Sequence, residues 1–287
     1  MENIASAKAV KELCERYGFA FSKSLGQNFL INPSVCPRIA ELGGAEGANV
    51  LEIGPGFGVL TRELARRARR VLAIEIDQAV LPVLDETLAG LDNVRVLHGD
   101  ALKLDLAQLL REEFGDAPTV VCANLPYYVT SPMIMSLLEQ RLPIEAVTVM
   151  VQKEAALRLC AQMGTRACGA VTAAVRYYSE PRILFQVSRG SFLPPPKVDS
   201  CVIRLDLRKE PGPQAADEAL LFRLIRAAFS QRRKTLANPV SAGLSLPKET
   251  VLAALSDLGL SSSARAEELT LAQFAALSDR LGGQTHE

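Results

Sequence analysis

The sequence is short of the residues that usually advertise a chemistry. Among 287 residues only two are histidine, and none of the six cysteines forms a C-x-x-C pair. Neither a zinc site nor a disulfide framework fits that pattern, so reduced, mostly buried thiols and no bound metal are expected. Net charge is missing too: 32 Lys and Arg offset 32 Asp and Glu. That leaves no global field to mark a nucleic-acid partner, only local clusters. No apolar run comes near 18 residues, and the opening MENIASAKAVKELCERYG is amphipathic and mixed in charge. A spanning helix and a signal peptide therefore drop out, and a soluble, cytoplasmic protein with no membrane partner is expected. Repeats and low-complexity tracts are absent as well.

What is present is a rhythm. The chain is 48% hydrophobic, ample for a buried core, and long enough for one large domain plus a small one. From about residue 48, short β-branched runs (NVLEIG, RVLAIEID, NVRVLHGD, TVVCANLP, AVTVMV) alternate with stretches of helical spacing (TRELARRARR, AVLPVLDETLAG, DLAQLLREEFG). That alternation predicts a parallel sheet wrapped by crossover helices. RILFQVSRGSFLPPPKVDSCVIRLDLR adds two strands joined by a proline-stiffened loop, suited to an antiparallel edge. A break rich in Pro, Gly and charge, KEPGPQAADE, separates a first domain, 1–208, from a second, 209–287. Beyond it every segment reads helical. LLFRLIRAAFSQRRKTLAN is amphipathic, SLPKETVLAALSDLG has Ser245 as cap and Gly259 as stop, and TLAQFAALSDRLGG opens with a Thr-x-x-Gln capping box.

Three strand ends form a nucleoside-binding pattern. VLEIGPGFGVLTREL sets Gly54, Gly56 and Gly58 between a strand and a helix, where glycine lets the backbone pass close to a ligand or simply turn tightly. The next strand ends in Glu75, nineteen residues beyond Gly56, at the distance from which an acid accepts both ribose hydroxyls. Its neighbour Asp77 reads as a helix cap. Asp100, after the third strand, either takes the exocyclic amine of an adenine or only caps its turn. Dinucleotide oxidoreductases share the glycines and the acid, but their fingerprint is G-x-G-x-x-G. The shorter spacing here looks like the first motif of S-adenosylmethionine-dependent methyltransferases.

The fourth strand runs into CANLPYYVTS, and there an amide, a proline and two large rings stand where a chain usually turns polar. An adenine amine is a poor nucleophile because its lone pair is delocalised, and acceptors aimed at its hydrogens favour rehybridisation. Asn124 can supply one acceptor, and a carbonyl held by Pro126, that of Leu125, a second. Tyr127 can stack on a base withdrawn from its helix. Tyr128 reads as an ordinary core residue.

With Asn-Leu-Pro-Tyr in place, the sequence resembles the rRNA adenine dimethyltransferases over nearly its whole length. The resemblance rests on SLGQNFLIN (24–32), EIGPGFG (52–58), EID (75–77), GDAL (99–102), NLPYYVTSPM (124–133), VQKEAALRL (151–159), FLPPPKVDS (192–200), FSQRRKTL (229–236) and RAEELTLAQF (265–274). The last two favour the housekeeping branch acting on small-subunit (16S) rRNA. The resemblance implies an α/β Rossmann-like methyltransferase sheet with a small all-α C-terminal domain, and S-adenosylmethionine as co-substrate. Its donor site would comprise Gln27, Asn28 and Leu30 on a covering N-terminal segment, with Gly54, Gly56, Glu75, Asp100, Ala101 and Asn124. Asn124, Leu125, Pro126 and Tyr127 would hold the target base, with Phe192 as a second ring or, alternatively, a core plug.

Arg223, Arg226, Arg232, Arg233 and Lys234, a stretch without one acid, fit either a solvated helix face or phosphate contact, and the resemblance at FSQRRKTL implies RNA contact; RRARR at 66–70 reads as a solvated face. The implied substrate is a pair of adjacent adenines in the 3′-terminal hairpin of small-subunit rRNA, modified by a monomer within an assembling subunit. The competing readings are the same chemistry on large-subunit (23S) rRNA or DNA, and an assembly factor with incidental catalysis. A dehydrogenase is more distant, since the only tail-free histidine has no catalytic setting.

Overall fold

The computed structural model describes residues 4–22, 26–231 and 234–283. It divides into two compact units, Met1–Ala156 with Pro181–Leu207, and Leu157–Glu180 with Arg208–Glu287. The second unit thus takes in 157–180, which the composition break leaves with the first domain. The physical reason lies in the RYYS stretch. The Tyr177 and Tyr178 hydroxyls both donate to the Glu218 carboxylate, at 3.0 and 2.7 Å, and both rings pack on Phe222. Such long-range packing leaves no trace in local composition.

The first unit opens with α1 (Ala7–Tyr17), capped by Ser6, whose hydroxyl accepts from Ala9 N–H, and ended by left-handed Gly18. Then come β1 (Phe29–Leu30), α2 (Val35–Leu42), β2 (Asn49–Ile53), α3 (Val59–Ala65), β3 (Arg70–Glu75), α4 (Leu81–Thr87), β4 (Val94–His98), α5 (Leu106–Phe114), β5 (Thr119–Asn124), α6 (Thr130–Glu139) and β6 (Ala146–Gln152). All five expected strands are present. The chain continues through α7 (Lys153–Leu159), α8 (Ala170–Tyr178), β7 (Ser179–Val187), β8 (Phe192–Leu193) and β9 (Ser200–Leu207). The main sheet runs β4-β3-β2-β5-β6-β9-β7. It is parallel from β4 to β6, and β9 joins β6 antiparallel with β7 beyond it at the edge, the place expected for the two late strands.

Strands β2, β5 and β6 are mostly apolar on both faces, as central parallel strands covered by helices tend to be; Val50, Leu51, Val121 and Val149 are wholly buried. Because β2 has β3 on one side and β5 on the other, the chain reverses its winding there. A crevice opens beyond the carboxyl ends of those strands. A second small sheet pairs β1 with β8, Phe29 opposite Leu193 and Leu30 opposite Phe192. The Phe29 ring lies 4.2 Å from that of Phe57 and 5.9 Å from that of Phe19. These aromatic contacts fix residues 26–30 over the turn after β2.

Helix α3 stops at Ala65, and Arg70 already begins β3. Arg66 and Arg67 pair with Glu63, and Arg70 pairs with Glu113, consistent with a solvated face for RRARR.

The second unit contains α9 (Glu218–Phe229), α10 (Ala237–Leu244), α11 (Lys248–Asp257) and α12 (Leu271–Gly282). Leu221, Leu224, Ile225 and Ala228 are buried on α9 as its amphipathic spacing requires. The long basic stretch is not one helix, however: α9 ends at Phe229 and the next begins at Ala237. Ser245 is not an N-cap either. It ends α10 in a left-handed conformation, and Pro247 precedes α11 without a side-chain cap. Thr270 and Gln273 do form the capping box of α12.

Candidate active site

The loops after β2, β3, β4 and β5 surround one cleft with residues 26–30 and Phe192. Counting its open mouth and the solvent in it, the cleft holds about 1140 Å³ of empty space.

After β2 the chain turns at Gly54 and Gly56, with φ of 69° and 56°, a handedness side chains resist. A Cβ on Gly54 would meet no atom within 4 Å, whereas one on Gly56 would lie 3.0 Å from the Phe29 ring. Gly54 is therefore needed for backbone handedness alone, and Gly56 also for the close approach of the N-terminal segment. Glu75 ends β3 and is buried. One carboxylate oxygen accepts from Gly56 N–H at 3.2 Å, the other from Asp77 N–H at 2.9 Å. Burial raises its pKa, and these two hydrogen bonds oppose the rise.

Asp77 caps its turn, accepting from Ala79 N–H at 3.0 Å, and also accepts from Gln27 Nε2 at 2.7 Å. Gln27 Oε1 in turn accepts from Ser22 N–H at 2.9 Å. Asn28 Nδ2 donates to Gly26 O at 2.8 Å, and Leu30 is buried. Asp100 Oδ1 accepts from Leu102 N–H at 3.0 Å and Oδ2 pairs with Lys103 at 3.4 Å. It caps the turn and edges the cleft at once, beside buried Ala101.

At the end of β5, Asn124 Nδ2 donates to Asn28 O at 3.4 Å, and Oδ1 has no partner among the described residues. The Pro126 carbonyl is used by the turn it starts, accepting from Val129 N–H at 3.1 Å and Thr130 Oγ1 at 3.3 Å. The carbonyl of Leu125 accepts nothing from the described residues, so Asn124 Oδ1 and Leu125 O are two adjacent open acceptors. Tyr127 lines the cleft with its hydroxyl tied to Ser200 Oγ at 2.9 Å. Burial raises its phenol pKa.

Tyr128 corrects the expectation made for it. It is 58% exposed and rests against Gly26 at the mouth of the cleft, because it sits in the turn closed by the Val129 N–H on the Pro126 carbonyl and not in an element that packs on the core. Phe192 lines the cleft yet is only 3% exposed and belongs to the apolar cluster around Leu30 and Met150. It combines both readings made of it.

One cleft thus brings together every residue expected to hold donor or base. The expected RNA contacts lie in the second unit. Arg223 and Arg226 are exposed one turn apart on α9, Lys234 is exposed beyond the helix end, and Arg232 and Arg233 lie outside the described residues. Among the lining residues that sequence reasoning left without a role are Ile76, half exposed next to Glu75; Met133 on α6; and Glu52, buried within β2. An acid inside an otherwise apolar central strand was the available signal for Glu52.

The profile of the family described as "Ribosomal RNA adenine dimethylase" matches residues 18–282. The chain is 47% identical to "Ribosomal RNA small subunit methyltransferase A" of Geobacillus thermodenitrificans, over 98% of this chain and 97% of that one. It is 46% identical to the protein of the same description from Bacillus licheniformis, over 98% of each. Among solved structures, a dimethyladenosine transferase from Plasmodium falciparum superposes with a TM-score of 0.71 at 28% identity, covering 87% of this chain and 95% of that one. The 23S rRNA methyltransferase ErmE superposes with a TM-score of 0.67 at 31% identity, covering 89% and 100%.

Proposed function

The chain belongs to the ribosomal RNA adenine dimethylase family, and on that premise we propose that its targets are two adjacent adenosines in the 3′-terminal hairpin of 16S rRNA, each dimethylated at its exocyclic amine during small-subunit assembly. The protein is an rRNA adenine dimethyltransferase using S-adenosylmethionine. When bound, that donor supplies a methyl group made electrophilic by its sulfonium.

The residues of the cleft fit such a donor. Glu75, oriented by two backbone N–H groups at the edge of the cleft, is assigned to the ribose hydroxyls. Asp100 and Ala101 are assigned to the adenine, Gly54 and Gly56 to close backbone approach, and Gln27, Asn28 and Leu30 to the cover. The observation that carries the reading is the pair of open acceptors, Asn124 Oδ1 and Leu125 O. Both hydrogens of an incoming amine can be engaged there, which favours the pyramidal nitrogen that attacks. Tyr127, fixed through Ser200, supplies a stacking face, and Phe192 an apolar wall. Little more is required, because displacement at a sulfonium gains chiefly from proximity and orientation and the proton leaves to solvent afterwards.

Arg223, Arg226 and Lys234, with Arg232 and Arg233, are assigned to RNA phosphates, and the helical segment 209–287 to RNA binding. We take the working state to be a cytoplasmic monomer. The likeness to ErmE raises 23S rRNA as a second substrate, but the 46–47% identical relatives carry the small-subunit description. Mass spectrometry of 16S and 23S rRNA after incubation with the protein and labelled S-adenosylmethionine tests the choice. Dimethyladenosine at two adjacent 16S adenines, absent with Asn124→Ala, is the expected result. Label confined to 23S rRNA would overturn the substrate.

A further inference from the structure

Glu52 lines the cleft from within β2 and has no part in the reading above. It is 1% exposed, and its Oε2 is sealed with no hydrogen-bond partner among the described residues. The groups that act on it or that it acts on are Glu75 on β3, Cys122 on β5, Cys36 on α2 and Thr61 on α3. None is a cation. Arg204 on β9 influences Cys122 but not Glu52, and Glu63 on α3 influences Cys36. The Thr61 hydroxyl alone opposes the burial, although neither it nor Oε2 makes a hydrogen bond of good geometry. A carboxylate enclosed by acids and thiols is expensive to ionise. Burial, with a smaller contribution from Glu75, raises its pKa to about 8, so near neutrality the carboxyl keeps its proton.

The proposed function brings a cation into this cleft. S-adenosylmethionine carries one more positive charge than the thioether left after transfer, since the sulfonium is consumed. We propose that Glu52 is the titratable counter-charge of the donor site: neutral in the empty cleft, ionised beside the cationic donor, and neutral again beside the thioether product. This rests on the assignment of the cleft to S-adenosylmethionine. The carboxyl proton passes to solvent as donor binds and is regained from solvent when product remains. The proton released by methyl transfer itself comes from the adenine amine, so the two are counted separately. Glu52 thereby favours donor over product, and donor affinity climbs with pH until the empty site ionises as well, while product affinity stays flat.

Calorimetric titration of the full chain with S-adenosylmethionine and with its thioether product tests this, in buffers of low and high ionisation enthalpy. At about pH 7, donor should release most of one proton per site and product none. Glu52→Gln, close to isosteric, should abolish the release and narrow the donor-to-product affinity ratio by about tenfold, the equivalent of one pKa unit. Proton release that is missing in the wild type, equal for both ligands, or retained in Glu52→Gln would overturn the inference alone. Failure of donor to bind would overturn the proposed function and this inference with it.

Discussion

Asn124 Nδ2 donates to the main-chain carbonyl of Asn28 at 3.4 Å, and because a carbonyl only accepts, this contact decides which end of the amide is left open. The side-chain oxygen is the end left open, on the residue before Leu125, whose carbonyl is open as well. The N-terminal segment therefore orients the residue expected to activate the amine. Removing the acceptor with Asn124→Ala should lower kcat by about 10²–10³, the scale of one lost oriented polar group, while donor affinity changes only a few-fold. Asn124→Asp should fare no better, since it places a carboxylate against the Asn28 carbonyl. Single-turnover methylation with a parallel binding titration separates the effects, and an Ala variant with normal kcat would sink the role.

Gln27 links Ser22 N–H to Asp77 Oδ2, the latter at 2.7 Å, and so closes the N-terminal segment onto the end of β3. One hydrogen bond to a charged group contributes roughly 1.5–3 kcal/mol. Gln27→Ala should weaken donor binding about tenfold or more, yet shift Tm little, because Phe29 and Phe57 still hold the segment. Equal donor affinity in the variant would show that the cover does not depend on this link.

The site was legible because EIGPGFG, IEID, HGD and NLPYY each end a strand, and parallel strands bring their carboxyl ends to one edge. Strand order beyond that, with β2 between β3 and β5, follows from no local signal. Tyr128 misled because hydrophobicity cannot tell which side of a four-residue turn a ring will take. Ser245 misled because a serine before a helix pattern also fits the left-handed end of the preceding helix. Glu52 was hidden inside a motif whose glycines drew the attention. The attachment of 157–180 to the second unit depends on Tyr177 and Tyr178 meeting Glu218 forty residues on, which no window of local sequence contains.

The Glu52 carboxyl also makes folding itself depend on pH. Its folded pKa, about 8, lies above the ordinary 4.5, so the native state holds a proton that the unfolded chain has lost. The stability it contributes is complete below about pH 4.5 and disappears as pH rises through about 8. Cys36 and Cys122, also raised by burial, act with the same sign only above the ordinary thiol value of 9.0. In the absence of donor, Tm should fall as pH rises from about 6 to 8.5. Glu52→Gln should flatten the decline and be the more stable protein at the upper end, by on the order of a few kcal/mol. Melts that run parallel for the two proteins would contradict this.

Tyr127 has a ring on the cleft and a hydroxyl on Ser200, 2.9 Å away. The two contributions separate by substitution. Tyr127→Phe keeps the stacking face and loses one neutral hydrogen bond, worth roughly 0.5–1.5 kcal/mol, so activity should drop only several-fold. Tyr127→Ala loses the face, worth roughly 1–3 kcal/mol per stacked base, and should raise KM for RNA far more than it alters donor affinity. Two variants of similar activity would mean that the ring positions the loop and does not hold the base.

Arg223 and Arg226 stand exposed one turn apart on α9, opposite buried Leu221, Leu224 and Ile225. A solvated helix face and a phosphate-binding face look alike in structure, but they differ in their response to salt. Each phosphate contact on RNA releases counterions and adds to the slope of log affinity against log salt, by about 0.7–0.9 per contact. Arg223→Ala with Arg226→Ala should therefore weaken 16S rRNA binding and reduce that slope by about 1.5. Donor affinity and Tm should stay as they were, since neither side chain enters the cleft or the core. A fall in affinity with an unchanged slope would point to a distorted helix, and an unchanged affinity would assign both arginines to solvent.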